Sequence, residues 1–97
     1  MQTKMNKILI ITTKGCEGCY IAKENITAAL TQTSKTIEVE DKDWHDVKRD
    51  FLHEHKIKDY PTVIYFVNGR IVHKSIGTYP IPVYLRWIDI YFKNNKK

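Results

Sequence analysis

The run Lys7-Ile-Leu-Ile-Ile-Thr-Thr-Lys-Gly-Cys-Glu-Gly-Cys19 carries the strongest structural signal in this 97-residue chain. Its first half, up to Thr12, is rich in β-branched residues and lacks polar alternation, which is typical of a strand buried on both faces. From Cys19 onward, apolar residues recur at helical spacing, at Ala22, Ile26, Ala29 and Leu30. The run therefore predicts a central parallel strand that leads directly into a helix beginning at the two cysteines.

Three further strands are predicted downstream. Thr36–Glu40 alternates apolar and polar residues, and it completes a strand–helix–strand unit long enough for a parallel crossover. Thr62–Val67 and Arg70–Ile76 are separated only by Asn68-Gly69, a strong β-hairpin signal. These last two strands are therefore expected to be antiparallel.

Two more helices are predicted. Asp43 is a good N-cap, and the residues after it predict a helix over about 44–55. The spaced residues of that helix are Trp44, Val47, Phe51 and His55. A last helix follows Pro80, with Pro82 in its first turn. Its core stripe is Tyr84, Trp87, Ile88 and Tyr91, and Leu85, Ile90 and Phe92 extend its apolar surface. The order βαβ, α, ββα predicts a compact α/β fold: a mixed four-stranded sheet with helices on both faces.

Length and composition limit the class of protein. A chain of 97 residues, 42% hydrophobic and 28% charged, is expected to form one domain, 1–97, with a polar basic tail at 93–97. The longest apolar runs, Ile8–Ile11 and Val63–Val67, are far shorter than the roughly 20 residues that span a bilayer, so we expect no membrane segment. We recognise no signal peptide, which makes the cytoplasm the default location.

The net charge of +5 comes from 16 Lys and Arg residues against 11 Asp and Glu residues. The basic residues are spread through the chain and interleaved with acidic ones, and only Lys93, Lys96 and Lys97 cluster. Binding to a nucleic-acid backbone needs cations gathered on one face. The distribution therefore predicts a solvated surface and no nucleic-acid partner.

The pair Cys16-Glu17-Gly18-Cys19 is the candidate reactive site. A disulfide with this spacing closes too short a loop to restrict the unfolded chain much, so the pair is interpreted as chemical. Cys16 opens the predicted helix, where free backbone N–H groups and the helix dipole favour a thiolate. Cys19 lies one turn further on and can reach back to the first sulfur. The pattern predicts an attacking thiol at Cys16 and a resolving thiol at Cys19, with no metal or organic cofactor.

A zinc site is the main alternative interpretation of the two cysteines. Zinc needs two more soft or imidazole ligands, and the chain has no other cysteine. His53 and His55 are two residues apart, which places them on nearly opposite faces of a helix. An internal zinc site is therefore disfavoured, while a metal or cluster held between two chains stays open. We assign all four histidines, at positions 45, 53, 55 and 73, to structural roles.

Three separated features resemble the thioredoxin-fold superfamily across nearly the whole chain. The first is the buried strand leading into Gly15–Cys19 and a helix. The second is Tyr60-Pro61-Thr62 at the start of a strand, and the third is Phe66–Gly69 followed by Gly77 before the last helix. The segment from Gly15 to Lys23 looks like glutaredoxins, and the second half looks more like thioredoxin. The sequence begins close to the active-site strand, so we expect a compact version of the fold without the extra N-terminal strand and helix of full thioredoxins.

The resemblance implies that Pro61 follows a cis peptide bond and lies opposite the cysteines. The backbone beside it would pair with an extended segment of the substrate, which explains how such proteins accept many partners. Tyr60, Gly77 and Gly15 are placed on the same substrate-binding surface by this resemblance.

The chain also departs from the family pattern. Ile10 occupies the position of the buried acid that thioredoxins use as a proton relay, and Gly15 replaces their Trp. Glu17-Gly18 replaces their Gly-Pro, and Tyr60 replaces a small aliphatic residue. Glu17 disfavours a negative charge on Cys16 whereas Lys14 and the helix dipole favour it, so the sequence leaves the balance open.

The leading functional hypothesis is thiol–disulfide exchange. The chain would reduce disulfides in proteins or small molecules through a mixed disulfide at Cys16, using an electron donor that the sequence does not identify. One alternative is a non-catalytic module that binds a partner through the surface of Tyr60, Pro61 and Gly77 or through the apolar last helix. Another is glutathione-dependent exchange, which the glutaredoxin-like helix favours.

Overall fold

A four-stranded mixed sheet organises residues 5–92, the part of the chain that the computed structural model describes. Its strands are β1 (Asn6–Thr12), β2 (Ile37–Asp43), β3 (Thr62–Val67) and β4 (Arg70–Ile76). They lie in the order β2-β1-β3-β4. β1 pairs in parallel with β2 and antiparallel with β3, and β3 and β4 form an antiparallel hairpin. This is the mixed sheet that the sequence predicts.

β2 is longer than its alternating sequence indicates. We predicted a strand ending at Glu40, but parallel pairing continues until Asp43 lies opposite Thr12. The added residues are polar, and a strand at the edge of a sheet can carry polar side chains because one of its sides faces solvent. The extension brings acidic residues of β2 alongside the end of β1.

The helix α1 (Glu17–Leu30) begins at the cysteines, as predicted. Its residues Cys19, Ala22, Ile26 and Ala29 are buried, which confirms the predicted face. The last helix, α3 (Ile81–Tyr91), lies on the same face of the sheet and packs against α1. Of its predicted stripe, Tyr84 and Ile88 are buried, while Trp87 is partly buried against the same core. Phe92 follows α3 and is also buried.

The prediction of one continuous helix over about 44–55 is wrong. The segment forms a 3-10 turn at Trp44–Asp46 and a short helix, α2 (Arg49–Glu54), with extended backbone at Val47 and Lys48 between them. Asp43 caps the 3-10 turn, because its carboxylate accepts the backbone N–H of His45 at 3.0 Å. The apolar side chains of both pieces still pack on the sheet. Their spacing in the sequence therefore predicts which side chains are buried, but it does not show whether the helix is continuous.

The two faces of the sheet carry separate cores. On the face of α1 and α3, the strands contribute Ile8, Ile10, Val63, Tyr65 and Val67. On the face of α2, the buried residues are Leu9, Ile11, Ile57 and Ile64. Helices on both faces agree with the predicted fold class.

Across residues 5–92, no helix is both long enough and apolar enough to cross a membrane. The basic tail predicted at 93–97 lies outside the described residues.

Candidate active site

Cys16 and Cys19 are joined by a disulfide at the start of α1, with their Cα atoms 5.3 Å apart. Cys16 is the N-cap residue, and its Sγ accepts a hydrogen bond from the backbone N–H of Cys19 at 3.1 Å. Cys16 is partly exposed, whereas Cys19 is only 5% exposed. The first cysteine is therefore the more accessible of the two.

Gly15 shapes the turn between β1 and α1. Its φ is +72°, a left-handed conformation that side-chain-bearing residues rarely adopt. No atom lies within 4 Å of the place where a Cβ would be. Glycine is therefore required here by backbone conformation rather than by lack of space.

Pro61 lies beside the cysteine turn, as the family resemblance implies. The Tyr60–Pro61 peptide bond is cis, and the carbonyl of Pro61 accepts the backbone N–H of Gly77 at 2.8 Å. A Cβ built on Gly18 would lie 3.9 Å from Pro61 Cδ and 3.0 Å from the hydroxyl oxygen of Thr78. The absence of a side chain at Gly18 thus lets both neighbours approach the start of α1.

Two hydrogen bonds tie α1 to the loop before α3. The hydroxyl of Thr78 donates to the carbonyl of Gly18 at 2.8 Å, and the side-chain amide of Asn25 donates to the carbonyl of Tyr79 at 2.9 Å. Sequence reasoning missed both, because each joins residues more than fifty positions apart and neither belongs to a periodic pattern. They fix the cysteine turn against the loop that contains Gly77.

A cleft of about 230 Å³ opens on another side of the cysteines. Cys16, Cys19, Lys14, Tyr20 and the Lys23–Asp41 ion pair all line it. The pKa of Lys23 is raised above its ordinary value, chiefly because its ammonium group donates a hydrogen bond to the carboxylate of Asp41. The sequence analysis did not single out Lys23 as a reactive group or Asp41 at all.

The other predicted site residues lie in different surroundings. Lys14 and Glu17 are exposed, and Glu17 occupies the first turn of α1. Tyr60 is half-buried, and its side chain packs against the core on the α2 face. Ile10, at the position of the family's relay acid, is fully buried in the core under α1.

Three of the four histidines pack against aromatic rings. His45 stacks on Trp44, His55 packs against Phe51, and His73 stacks on Tyr91 with ring centroids 4.4 Å apart. Within residues 5–92, no group of three or more His, Cys, Asp or Glu side chains is placed to hold a metal ion.

Comparison with solved structures identifies the fold. The thioredoxin of Aeropyrum pernix is 18% identical, with a TM-score of 0.72 over 91% of this chain and 76% of that one. Mitochondrial thioredoxin 3 of Saccharomyces cerevisiae is 19% identical, with a TM-score of 0.68 over 88% and 78% of the two chains. A malaria-parasite thioredoxin-2, described as a component of the protein secretion machinery, is 15% identical, with a TM-score of 0.75 over 92% and 85%.

This protein therefore has the thioredoxin fold, as its motifs predicted. No protein-family model and no curated protein matches its sequence.

Proposed function

We propose that this protein is a thiol–disulfide oxidoreductase in which Cys16 attacks and Cys19 resolves. The observation that carries the proposal is the disulfide at the helix start, where Cys16 Sγ accepts the backbone N–H of Cys19. In the reduced protein, the same N–H and the helix dipole favour a thiolate at Cys16. The greater accessibility of Cys16 supports its role as the sulfur that meets a partner first.

The reaction transfers two electrons to the partner. The Cys16 thiolate attacks one sulfur of a partner disulfide, forms a mixed disulfide and releases the partner's other sulfur as a thiolate. Cys19 then attacks Cys16 Sγ, which forms the Cys16–Cys19 disulfide and releases the second partner sulfur. One partner sulfur ends with the proton of Cys19, and the other takes a proton from water. An external thiol donor must then reduce the protein, and no metal or organic cofactor takes part.

The backbone at Tyr60 supports a protein or peptide substrate. Within residues 5–92, neither the N–H nor the C=O of Tyr60 makes a hydrogen bond, whereas the carbonyl of Pro61 is already occupied by Gly77. Free main-chain groups at such a position can pair with an extended segment regardless of its side chains. We therefore propose disulfide-containing proteins or peptides as partners, in the cytoplasm.

Turnover of a model protein disulfide tests this function. The wild-type protein should accelerate the reduction of insulin by dithiothreitol. Cys16→Ser should reduce this acceleration at least about 100-fold, because it removes the accessible attacking sulfur and the remaining Cys19 is only 5% exposed. Cys19→Ser should accumulate a mixed disulfide at Cys16, which mass spectrometry detects. Glu24→Gln, an exposed change on α1, serves as the control and should keep the wild-type rate. Unchanged turnover in Cys16→Ser would refute the assignment.

A non-catalytic binding module is the second candidate. Exposed apolar side chains near the cysteines favour it: Tyr20 is 74% exposed and Ile21 is 46% exposed. In that case, a partner should bind the double variant Cys16→Ser/Cys19→Ser as tightly as the wild-type protein, and the wild-type protein should show no reductase turnover. Turnover that requires glutathione but survives Cys19→Ser would instead indicate a monothiol, glutaredoxin-like route.

A further inference from the structure

The cleft beside the disulfide is lined by both cysteines and by the Lys23–Asp41 ion pair. We propose that Asp41, held in place by Lys23, accepts the proton of the Cys19 thiol when Cys19 resolves the mixed disulfide. This inference rests on the proposed function, and it assigns the proton step of that same site.

The strand register explains how Asp41 reaches the cleft. Asp41 pairs with Ile10 across the parallel strands β2 and β1. Residues opposite each other in neighbouring strands point to the same face of the sheet, and Ile10 belongs to the core under α1. Asp41 therefore lies on the α1 side, at the exposed rim of that core.

Lys23 comes to the same place from α1. It follows Cys19 by four residues, so the two side chains are neighbours along one face of the helix. Its ammonium group forms the ion pair with Asp41, and the two side chains are 53% and 40% exposed. An ion pair this exposed contributes little to stability. Its location in the same cleft as the two cysteines is what suggests a role in the reaction.

The resolving thiol needs a proton acceptor close by. Cys19 is 5% exposed, and only its thiolate can attack. Among the described residues that line the cleft, Asp41 is the only carboxylate, whereas Lys14 and Lys23 are proton donors. The cleft volume of about 230 Å³ leaves room for water. A general base acts either directly or through one water molecule.

The protons and electrons of the resolving step balance without another reactant. The proton passes from Cys19 Sγ to the Asp41 carboxylate as the Cys19 sulfur attacks Cys16 Sγ. A Cys16–Cys19 bond forms while the bond from Cys16 to the partner sulfur breaks. The partner leaves as a thiolate and takes a proton from Asp41 or from water.

Glu40 supplies a matched control on the same strand. It neighbours Asp41 in sequence, so it points to the opposite face of the sheet. Its carboxylate is also ion-paired, with Lys7 at 2.8 Å and with Lys42 at 3.4 Å. Asp41→Asn removes one negative charge and one surface ion pair from β2. Glu40→Gln removes one negative charge and two ion pairs from the same strand, but only the first change touches the cleft.

The resolving step can be measured by mixing the reduced protein with dithiodipyridine, a neutral aromatic disulfide. Attack by Cys16 releases one thiopyridone and resolution by Cys19 releases the second, so stopped-flow absorbance separates the two steps. At about pH 7 we expect Asp41→Asn to slow the second release at least about 10-fold, at the lower end of general-base effects. Glu40→Gln should stay within about twofold of wild type at the same pH.

The pH dependence separates proton transfer from a structural effect. Above about pH 9.5, where a cysteine thiol of ordinary pKa about 8.5 ionises unaided, the Asp41→Asn and wild-type rates should converge. Lys23→Met should slow the second release and Lys23→Arg should restore it, since arginine keeps the ion pair.

Each alternative outcome is informative. Equal second-step rates for Asp41→Asn and Glu40→Gln, or a deficit that persists at high pH, would overturn the assignment of Asp41. An effect of Asp41→Asn on the first release alone would also overturn it. If the wild-type protein releases no second thiopyridone, the dithiol function itself fails and this inference fails with it.

Discussion

The two faces of the sheet differ in the size of their hydrophobic cores and in how completely helices cover them. On the α1 and α3 face, two helices of 14 and 11 residues cover a continuous core that includes Tyr65, Tyr84 and Ile88. On the other face, a 3-10 turn and a helix of six residues cover a smaller core, and their own apolar side chains are only partly buried. The cysteine turn belongs to the first face, because Cys19 is part of the buried side of α1.

The difference indicates that the face of α1 and α3 is the more rigid of the two. A reactive pair must hold two sulfurs and their proton acceptor at fixed positions, and closely packed interiors resist displacement. Lys35 strengthens the same face, since its ammonium group donates to the carbonyls of Ile88, Asp89 and Phe92 at the end of α3, at 3.0, 3.0 and 2.9 Å. The second face contributes Tyr60, whose backbone matters more to the proposed site than its side chain does.

The largest effect is expected from a cavity on the first face. Ile88 is fully buried, so Ile88→Ala should reduce the free energy of unfolding by about 2–5 kcal/mol. Urea denaturation followed by circular dichroism measures it. A loss below about 1 kcal/mol would show that this core relaxes around the cavity and that the contrast between the faces is overstated.

A buried hydroxyl pair gives the next effect. Tyr65 is fully buried, burial raises the pKa of its phenol, and its hydroxyl lies 3.2 Å from that of Ser75. Ser75→Ala leaves the phenol without its partner and should cost about 1–3 kcal/mol. Adding Tyr65→Phe removes the other polar group, so the double variant should regain part of the loss in the same denaturation assay. A double variant less stable than Ser75→Ala would contradict this explanation.

Shortening a side chain on the α2 face should reduce the free energy of unfolding by a smaller amount. Leu52 is only partly buried against the α2-face core, so Leu52→Ala should cost about 1 kcal/mol, roughly half the value of a fully buried side chain. Urea midpoints of Leu52→Ala and Ile88→Ala, measured together, compare the two faces directly. Equal losses would remove the distinction between them.

The smallest effect concerns His73, which packs on the first face against Trp87 and Tyr91. Burial lowers the pKa of His73 below its ordinary value of 6.5, so the unfolded chain binds this proton more readily than the folded one. The contribution of neutral His73 to the free energy of unfolding is present above pH 6.5. It is lost as the pH falls through the lower pKa that His73 has in the folded state. The urea midpoint of wild type relative to His73→Phe should therefore fall on acidification. A urea midpoint of wild type that rises relative to that of His73→Phe on acidification would contradict this prediction.

The fold was predictable where local chemistry and the final structure agree. Asn68 and Gly69 have φ values of 53° and 83°, the left-handed geometry of a tight hairpin, and both flanking strands have their predicted bounds. The cysteine position was equally predictable, because a buried strand followed at once by a helical pattern leaves one place for the helix start. The broken helix was not, since apolar spacing is satisfied by two pieces as well as by one.

The parts of the site that were missed depend on tertiary contacts. Lys23 and Asp41 meet only because β2 pairs with β1 in one particular register and continues past its alternating segment. Thr78 meets Gly18 only because the loop before α3 returns to the cysteine turn. No local pattern contains these distances, so a single sequence shows the sulfurs but not the groups around them.

The outer strands of the sheet affect which associations the protein avoids. β2 and β4 are edge strands, and an unpaired edge is a template for strand addition and aggregation. β2 presents Glu38, Glu40, Asp41, Lys42 and Asp43, while β4 is irregular where its pairing shifts beside Tyr65 and Phe66. Charge and irregularity both discourage another chain from adding there. The sheet edges are therefore poor sites for an extended partner, in agreement with the proposed pairing at Tyr60.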